Sequence, residues 1–343
     1  MARPGTAPPM MLASAHSLVK GRARLGTNRV TSKTFVVAVD GTRMSIRAVR
    51  LAAWLCDVST MDKIKCVSVS DGKEISRMAA LENIKQGELE LQNLGLRRHI
   101  LPAQVLPIAE GDTVVETLNK AAVGCHLVLG AGGEKRGQSQ GRGKAKVDPA
   151  FIGSVSLQCM ASCTAPVILC KPKGTPLLDT TQGMQRRLAT PSTVGTTIVV
   201  AVDGGHVSQK CFDMALRFVT RKDTVYICHV QNSDQDVEGA SAAQNTLLGN
   251  SAVASYYASE CAKAQSRFNG ATFEFMPLTM VKHSVVETIL EFTERDEVLA
   301  DLIIMGSVEL GKLGSKVLAL GSVSAAIARR TPAHVLIAKH FAT

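Results

Sequence analysis

The chain has 343 residues, of which 45% are hydrophobic and 20% are charged. This composition is typical of a globular protein of roughly two domains, and no apolar run approaches the ~20 residues of a membrane span. The net charge of +10 favours anionic partners such as nucleotides, nucleic acid or acidic lipid. Nine cysteines, an odd number without a Cys-x-x-Cys pair, indicate a reduced compartment with no disulfide framework and no zinc site.

Residues 1–33 form a basic segment without a single acidic residue. Arg3, Lys20 and Arg22 lie among serines and a short apolar patch, which is the composition of an organelle transit peptide. A disordered basic tail has the same composition. We therefore expect a cytoplasmic protein, with mitochondrial delivery through this segment as the alternative.

The first half of the chain, residues 34–172, alternates short apolar runs with segments of helical periodicity. Strands are predicted over 34–39, 64–69, 100–106, 127–129 and 166–170, and helices over 42–57, 76–94, 112–123 and 153–162. Pro102 makes the third strand an edge strand. Asp112 is a candidate N-cap for the third helix.

Residues 173–195 are rich in proline and glycine and are predicted to be a linker. The alternation then restarts over residues 196–343. Strands are predicted over 197–202, 225–230, 273–280, 302–305 and 335–338, and helices over 206–220, 240–268, 284–297 and 321–330. This order predicts an α/β protein of two tandem, mostly parallel sheets with helices on both faces.

The two halves share short motifs in the same order, which indicates duplicated domains rather than a solenoid. Val-Ala-Val-Asp-Gly occurs at 37–41 and again at 200–204. Val-Val-Glu-Thr occurs at 114–117 and 285–288, and Gly-Ser-Val-Ser at 153–156 and 321–324.

Two aspartates, Asp40 and Asp203, each follow the first strand of a half. In an open parallel sheet ligands bind beyond the carboxyl ends of the strands, where an aspartate can accept hydrogen bonds from a base or a ribose. Asp-Gly also suits a turn before a helix. Both interpretations stay open at this point.

A glycine-rich stretch follows the fourth strand of each half. Gly143 precedes Gly153-Ser154 by the same spacing with which Gly311 precedes Gly321-Ser322. Glycines let backbone N–H groups approach phosphate oxygens, and a helix start adds a favourable dipole. The sequence therefore predicts an anion site before the last helix of each half.

Together these motifs resemble a tandem pair of universal stress protein domains. The resemblance implies five strands per half in the order 3-2-1-4-5, a pseudo-two-fold relation, and pairing through the last strand, either between the two halves or in a homodimer. It also implies ATP or AMP as ligand, with Mg²⁺, and a regulatory role in stress response. We expect a sensor rather than a fast enzyme, with slow ATP hydrolysis at most.

Carried over residue by residue, the resemblance assigns a nucleotide site to each half. In the second half it comprises Asp203, Val230, Gly306, Gly311, Gly321, Ser322 and Val323. In the first half it comprises Asp40, Val69, Gly130, Gly143, Gly153, Ser154 and Val155. The family's leading loop glycine would fall on Val308 and Gln140, so this chain departs from the pattern in both halves.

A different function is a nucleotide-free interaction module. Residues 131–147 carry five basic residues against Glu134 and could dock a protein or RNA partner, although they lack the aromatic residues of a stacking platform. An adenylate-transferring enzyme is a third hypothesis, but no nucleophile or general base stands out. His229 and Trp54 are predicted to pack in the core or at an interface.

Overall fold

The backbone alternates strands and helices through both halves, as the periodicity predicts. The computed structural model describes residues 32–57, 59–132, 152–172, 175–189, 195–220, 222–231, 250–282, 284–307 and 320–339. All statements below concern these residues.

Ten strands carry the fold. They are β1 (Thr34–Ala38), β2 (Lys63–Ser70), β3 (Gln104–Pro107), β4 (His126–Gly130), β5 (Val167–Cys170), β6 (Thr197–Ala201), β7 (Thr224–Gln231), β8 (Thr272–Thr279), β9 (Leu302–Gly306) and β10 (His334–Ala338).

The helices follow the strands in chain order. They are α1 (Arg43–Leu55), α2 (Glu74–Asn93), α3 (Val114–Ala121), α4 (Ser154–Ser162), α5 (Thr181–Ala189), α6 (His206–Phe218), α7 (Asn250–Arg267), α8 (Val285–Thr293) and α9 (Ser322–Arg330). Two short 3₁₀ helices, Arg97–His99 and Pro176–Asp179, complete the set.

The ten strands form one sheet in the order β3-β2-β1-β4-β5-β10-β9-β6-β7-β8. Each half has the predicted order 3-2-1-4-5, and all pairs within a half are parallel. β5 and β10 pair antiparallel, with Leu336 opposite Ile168. The strands of the two halves therefore run in opposite directions at the middle of the sheet.

Two hydrophobic cores lie against the sheet, and each runs through both halves. One contains Phe35 and Trp54 of the first half together with Phe212 and Tyr257 of the second. The other contains Leu127 and Met160 together with Ile303 and Phe292. Strands that are buried on both faces explain the near-continuous apolar runs in the sequence.

Element boundaries differ from the predicted ones where local hydrogen bonding decides. Thr113, not Asp112, caps α3, because its side chain and that of Glu116 form a reciprocal capping box. β3 starts at Gln104 rather than at residue 100, since Pro102 has no N–H for the ladder. Ile100 makes only an isolated bridge to Ile64.

The predicted linker contains an ordered strap, residues 175–189, which holds the second 3₁₀ helix and α5. Leu178 and Met184 of the strap are fully buried in the first core. Arg47 of α1 donates to the Thr175 carbonyl and pairs with the Asp179 carboxylate. The strap is therefore fastened to α1 by these contacts.

Candidate functional site

The carboxyl ends of neighbouring strands bring the predicted residues of each half to one edge of the sheet. β6 lies between β7 and β9, and the Val202 N–H donates to the Cys228 carbonyl at 2.9 Å just beyond the end of β6. Gly306 is the last residue of β9, Val230 is the next-to-last residue of β7, and Asp203 lies two residues beyond the end of β6. β1, β2 and β4 place Asp40, Val69 and Gly130 in the same way.

Both aspartates lie in the turn that follows the first strand of their half. The Asp40 Oδ1 atom accepts hydrogen bonds from the Thr42 N–H at 3.0 Å and from the Thr42 hydroxyl at 2.7 Å. The Asp203 Oδ1 atom accepts from the Gly205 N–H at 2.9 Å and from the Ser208 hydroxyl at 2.5 Å. One oxygen of each carboxylate thus fixes a turn, while both side chains remain exposed.

The last helix of each half is pinned to the end of the fourth strand by matching hydrogen bonds. The Gly153 N–H donates to the Ala131 carbonyl at 2.6 Å, and the Ser156 hydroxyl donates to the Gly130 carbonyl at 2.7 Å. In the second half, the Gly321 N–H donates to the Ser307 carbonyl at 2.8 Å, and the Ser324 hydroxyl donates to the Gly306 carbonyl at 2.6 Å. These contacts aim both helix starts at the edge that carries the aspartates.

Among the described residues, the starts of α4 and α9 have neither a capping side chain nor an acidic residue in the first turn. Gly153 and Gly321 are the N-caps, so no side chain caps either helix, and neither first turn contains an acidic residue. Thr42 caps α1, and Ser284 caps α8. α6 also starts after a glycine, but there the Asp203 carboxylate binds the Gly205 N–H. Within the described part of the chain, α4 and α9 therefore present positive dipole ends that no first-turn acid neutralises.

Glycine serves a different purpose at these caps than at a tight turn. Gly153 and Gly321 are extended, with φ near −60° and −59°, a conformation open to any residue. A glycine at the N-cap has no side chain that could cap the helix. Ser154 and Ser322 follow as exposed first residues of the helices, and Val155 and Val323 are half-buried.

At the fourth strand ends, glycine is required by close packing. A Cβ atom on Gly130 would lie 3.0 Å from the Met44 Cβ and 3.1 Å from the Met44 carbonyl oxygen. A Cβ atom on Gly306 would lie 2.8 Å from a methyl group of Val207. The first helix of each half therefore packs directly against the strand end that supports the site.

A buried histidine lies beside the second site. The His229 Nδ1 atom contacts the Val202 carbonyl at 3.0 Å, and its Nε2 atom contacts the Asn250 Oδ1 at 3.0 Å. His229 is buried, as predicted, and it links the end of β6 to the start of α7. Val230 and its counterpart Val69 are half-buried and pack against the second core.

Some predicted residues lie outside the described part of the chain. They are Gly143 and Gly311, the departing positions Gln140 and Val308, and residues 133–147 of the basic segment. The structure thus brings together Asp40, Val69, Gly130, Gly153, Ser154 and Val155 in one half. It brings together Asp203, Val230, Gly306, Gly321, Ser322 and Val323 in the other.

Sequence reasoning missed Ser156 and Ser324, the serines that pin the helices. Their signal was present, because each is the last residue of the repeated Gly-Ser-Val-Ser motif. Each sits one helical turn beyond the cap, where a hydroxyl reaches back to the strand.

The nine cysteines do not provide nucleophiles. All are free thiols, and eight of them are buried. Burial raises the pKa of the Cys228 thiol near the second site to about 12, and that of Cys66 in β2 to about 12. These groups stay protonated at neutral pH. Among the described residues, no cluster of three or more metal-ligating side chains occurs and no helix has the length and apolarity to cross a membrane.

Comparisons with known proteins agree with this architecture. The universal stress protein family model matches residues 196–339. A universal stress protein from Archaeoglobus fulgidus aligns over 90% of this chain and 97% of its own, at 18% identity and a TM-score of 0.51. A protein of unknown function from Pseudomonas aeruginosa aligns over 90% of this chain and 93% of its own, at 13% identity and a TM-score of 0.51. At such identities the likeness shows the fold.

A universal stress protein solved in complex with cAMP aligns over 43% of this chain and 98% of its own, at 25% identity. Its TM-score of 0.30 is too low to support a statement about this chain. No curated protein matches the sequence. Residues 196–339 thus match the universal stress protein family model, and the first five strands of the chain repeat the strand order of that matched half.

Proposed function

We propose that this protein binds an adenine nucleotide, ATP or AMP, with its phosphates at the starts of α4 and α9. One observation carries the proposal. These two helices begin at the sheet edge without a side-chain cap or a first-turn acid, and with an exposed serine as first residue. A helix start of this kind favours an anion through its N–H groups and its dipole.

The rest of each site suits a nucleoside. The Asp40 and Asp203 carboxylates are exposed at the neighbouring strand ends, and in each only Oδ1 bonds to described residues. The Oδ2 atoms can accept hydrogen bonds from a base or a ribose. Val69 and Val230 offer half-buried apolar contacts on the next strand. Any Mg²⁺ would be bound through the nucleotide phosphates, since the described residues contain no group of three or more side chains that could hold a metal ion.

We further propose a regulatory role in stress response rather than fast catalysis. The buried cysteines remain thiols, and the Asp203 oxygen that faces Ser208 is already used to fix a turn. Any ATP hydrolysis would therefore depend on water held near the phosphates and would be slow.

The two halves are proposed to pair as two subunits of a dimer would. The antiparallel ladder between β5 and β10 supports this, because it uses the last strand of each half. β3 and β8 then remain at the outer edges of the sheet. A homodimer would use these edges or a helical face.

A cytoplasmic location is proposed, with mitochondrial delivery through residues 1–33 as the alternative. Sequencing the mature N-terminus of the protein purified from cells decides between them. An intact start supports the first, and removal of the basic segment supports the second.

The experiment combines nucleotide release with directed substitution. Purified protein is denatured, the supernatant is chromatographed, and the refolded chain is titrated with ATP and AMP with and without Mg²⁺. Ser322→Asp should weaken binding at the second site at least tenfold, because its carboxylate repels phosphate. The same change should keep or raise stability by about 0.3–1 kcal/mol, because an acid suits a helix start.

Two further variants complete the design. Ser154→Asp tests the first site, and Ser255→Asp is the matched control, an exposed serine inside α7. The proposal is contradicted if no nucleotide is released and no binding is detected up to about 1 mM ligand. A dissociation constant of that size corresponds to a binding free energy of about −4 kcal/mol. If Ser322→Asp and Ser255→Asp bind the nucleotide with equal affinity, the phosphates do not bind at the start of α9.

A further inference from the structure

Two buried lysines occupy equivalent positions in the two halves. Lys171 directly follows β5, and Lys339 directly follows β10, the two strands that join the halves. Their exposed fractions are 0% and 1%. A lysine is rarely buried so completely unless its ammonium group has partners.

Each lysine reaches across to the other half. The Lys171 Nζ atom donates to the Ala328 carbonyl at 2.8 Å and to the Arg329 carbonyl at 3.2 Å, in the last turn of α9. The Lys339 Nζ atom donates to the Met160 carbonyl in the last turn of α4. Ala328 and Met160 are both third from the end of their helices. We call these two contacts the lysine clasps.

The clasps complete helix ends that would otherwise be unsatisfied. The last four carbonyls of a helix have no donor inside it, and its C-terminus carries a partial negative charge. An ammonium group supplies both a donor and a positive charge. Because each lysine belongs to the opposite half, neither α4 nor α9 is completed by its own domain.

The clasped helices are also the helices that carry the candidate phosphate sites. Gly153-Ser154 begins α4, and Gly321-Ser322 begins α9. Each helix spans nine residues, so the two ends lie about 13 Å apart at a rise of about 1.5 Å per residue. A helix this short moves as one body, and a change at one end displaces the other.

We infer that Lys171 and Lys339 are positioning residues, each of which holds, from one half, the helix that carries the anion site of the other half. The inference that the lysines hold the helices rests on the hydrogen bonds of the clasps. The consequence for ligand binding rests on the proposed function. Each site is then complete only when both halves are in place, which would make the tandem chain the functional unit.

The surroundings of Lys339 agree with a clasp that works through hydrogen bonding as well as charge. Burial lowers the pKa of Lys339 to about 8. Cys159 of α4 and Cys163, which directly follows α4, lie close to it, and burial raises the pKa of both thiols. Lys171 is tied further by its own N–H, which donates to the His334 Nδ1 at 3.0 Å. Its carbonyl accepts from the Arg47 Nε at 3.1 Å.

The test is amide hydrogen exchange on the full chain with Lys171→Met and Lys339→Met. Methionine keeps the apolar stem and removes the ammonium group. Lys171→Met should raise exchange rates in α9 at least fivefold and leave α4 within twofold of the wild type. Lys339→Met should do the reverse. Lys85→Met, at an exposed lysine of α2, is the control and should change neither helix.

The crossed pattern separates positioning from general destabilisation. Faster exchange in both helices alike, in the helix of the same half, or in neither would overturn the inference. If a variant fails to fold, nitrogen-15 NMR of the lysine side chains in the wild-type protein is used instead. The Nζ protons of Lys171 and Lys339, assigned apart from those of the buried Lys33, should exchange more slowly than those of the exposed lysines. Fast exchange at both positions would contradict the clasps.

A nucleotide titration then tests the coupling. Lys171→Met should weaken AMP binding at the α9 site about threefold to tenfold, while Lys85→Met should not. If the wild type binds no nucleotide, the proposed function fails, and the exchange pattern still decides whether the clasps exist. If the wild type binds and Lys171→Met binds equally well, the coupling between halves is refuted.

Discussion

His126 shows how one buried side chain departs from the internal repeat. It lies in β4 with its ring 5.5 Å from that of Phe35 and 5.8 Å from that of Phe218, and it is 7% exposed. Neither ring nitrogen has a hydrogen-bond partner in the described part of the chain. The pairing register places Leu302 at the equivalent position of the second half. A polar ring thus occupies a place that suits an apolar one.

Replacing His126 by leucine should stabilise the protein by about 1 kcal/mol, because unsatisfied buried polar atoms are costly. Burial, together with the charges of Lys33 and Arg217, lowers the pKa of His126 from 6.5 to about 4. The unfolded chain therefore binds more protons between these values, and wild-type stability falls as the pH drops through that window by up to about 1.4 kcal/mol per unit.

Urea denaturation of the wild type and of His126→Leu at pH 7.5 and pH 5 measures both effects. The variant should lose less stability on acidification. His334, whose pKa burial lowers to about 3, remains in both proteins and contributes equally. An identical loss in the two proteins would show that His126 does not titrate in this window.

Gly130 offers a second test at the scale of one residue. Gly130→Ala should destabilise the protein by about 1–3 kcal/mol, because the new methyl group meets the backbone of α1 at Met44. Thermal unfolding measures this change. Gly72→Ala is the comparison: its φ is +85° but no atom lies within 4 Å of the new Cβ. Only a conformational cost of roughly 1 kcal/mol is expected there. No change for Gly130→Ala would refute the close packing.

Residue types alone could place Gly153-Ser154 and Gly321-Ser322 at helix starts but could not predict the lysine clasps. The Gly-Ser-Val-Ser repeat marks the start of the last helix in each half, and its last serine bonds to the end of the preceding strand, 26 or 18 residues earlier. Lys171 and Lys339 carry no local signal. Their partners lie far away in the chain, and only the antiparallel contact of β5 and β10 brings them within reach.

Among the elements, the strap of residues 175–189 differs most from expectation. Its prolines and glycines predict a linker, yet Leu178 and Met184 are fully buried against α1. Arg50 donates to the Leu178 and Asp179 carbonyls at 3.1 and 2.9 Å, and so satisfies the 3₁₀ turn. The hydrogen-bond partners of this segment include arginines of α1, and the local sequence of the segment does not indicate them. Strand order, in contrast, followed from the family resemblance.

Leu178→Ala should cost about 2–4 kcal/mol of stability, because it leaves a cavity in the first core. Gln182→Ala, at an exposed position of α5, should stay within about 0.5 kcal/mol of the wild type. Urea denaturation compares the two, and limited proteolysis should cut the leucine variant faster within the strap. Equal stabilities would mean that the strap is not part of the core.

For the whole molecule, the decisive feature is that both cores run through both halves. Trp54, the single tryptophan, lies in the first half with its ring 6.2 Å from that of His334 at the start of β10. Its fluorescence therefore reports on the contact between the halves. The duplicated motifs predict two domains, but the extent of the shared core follows only from side chains that pack across β5 and β10.

Unfolding in urea should be a single transition. Fluorescence of Trp54 and hydrogen exchange of α9 amides should give the same midpoint, since removal of one half exposes the core of the other. Two separate midpoints would show that the halves fold independently. They would also weaken the proposal that the halves pair as subunits do.

The central claim, that the starts of α4 and α9 bind nucleotide phosphate, is tested most directly by an NMR titration of the full chain with AMP. The amides of Ser154, Val155, Ser322 and Val323 should shift progressively with ligand, while amides on the exposed face of α2 should stay in place. Shifts confined to other regions, or none at all up to about 1 mM AMP, would contradict the account.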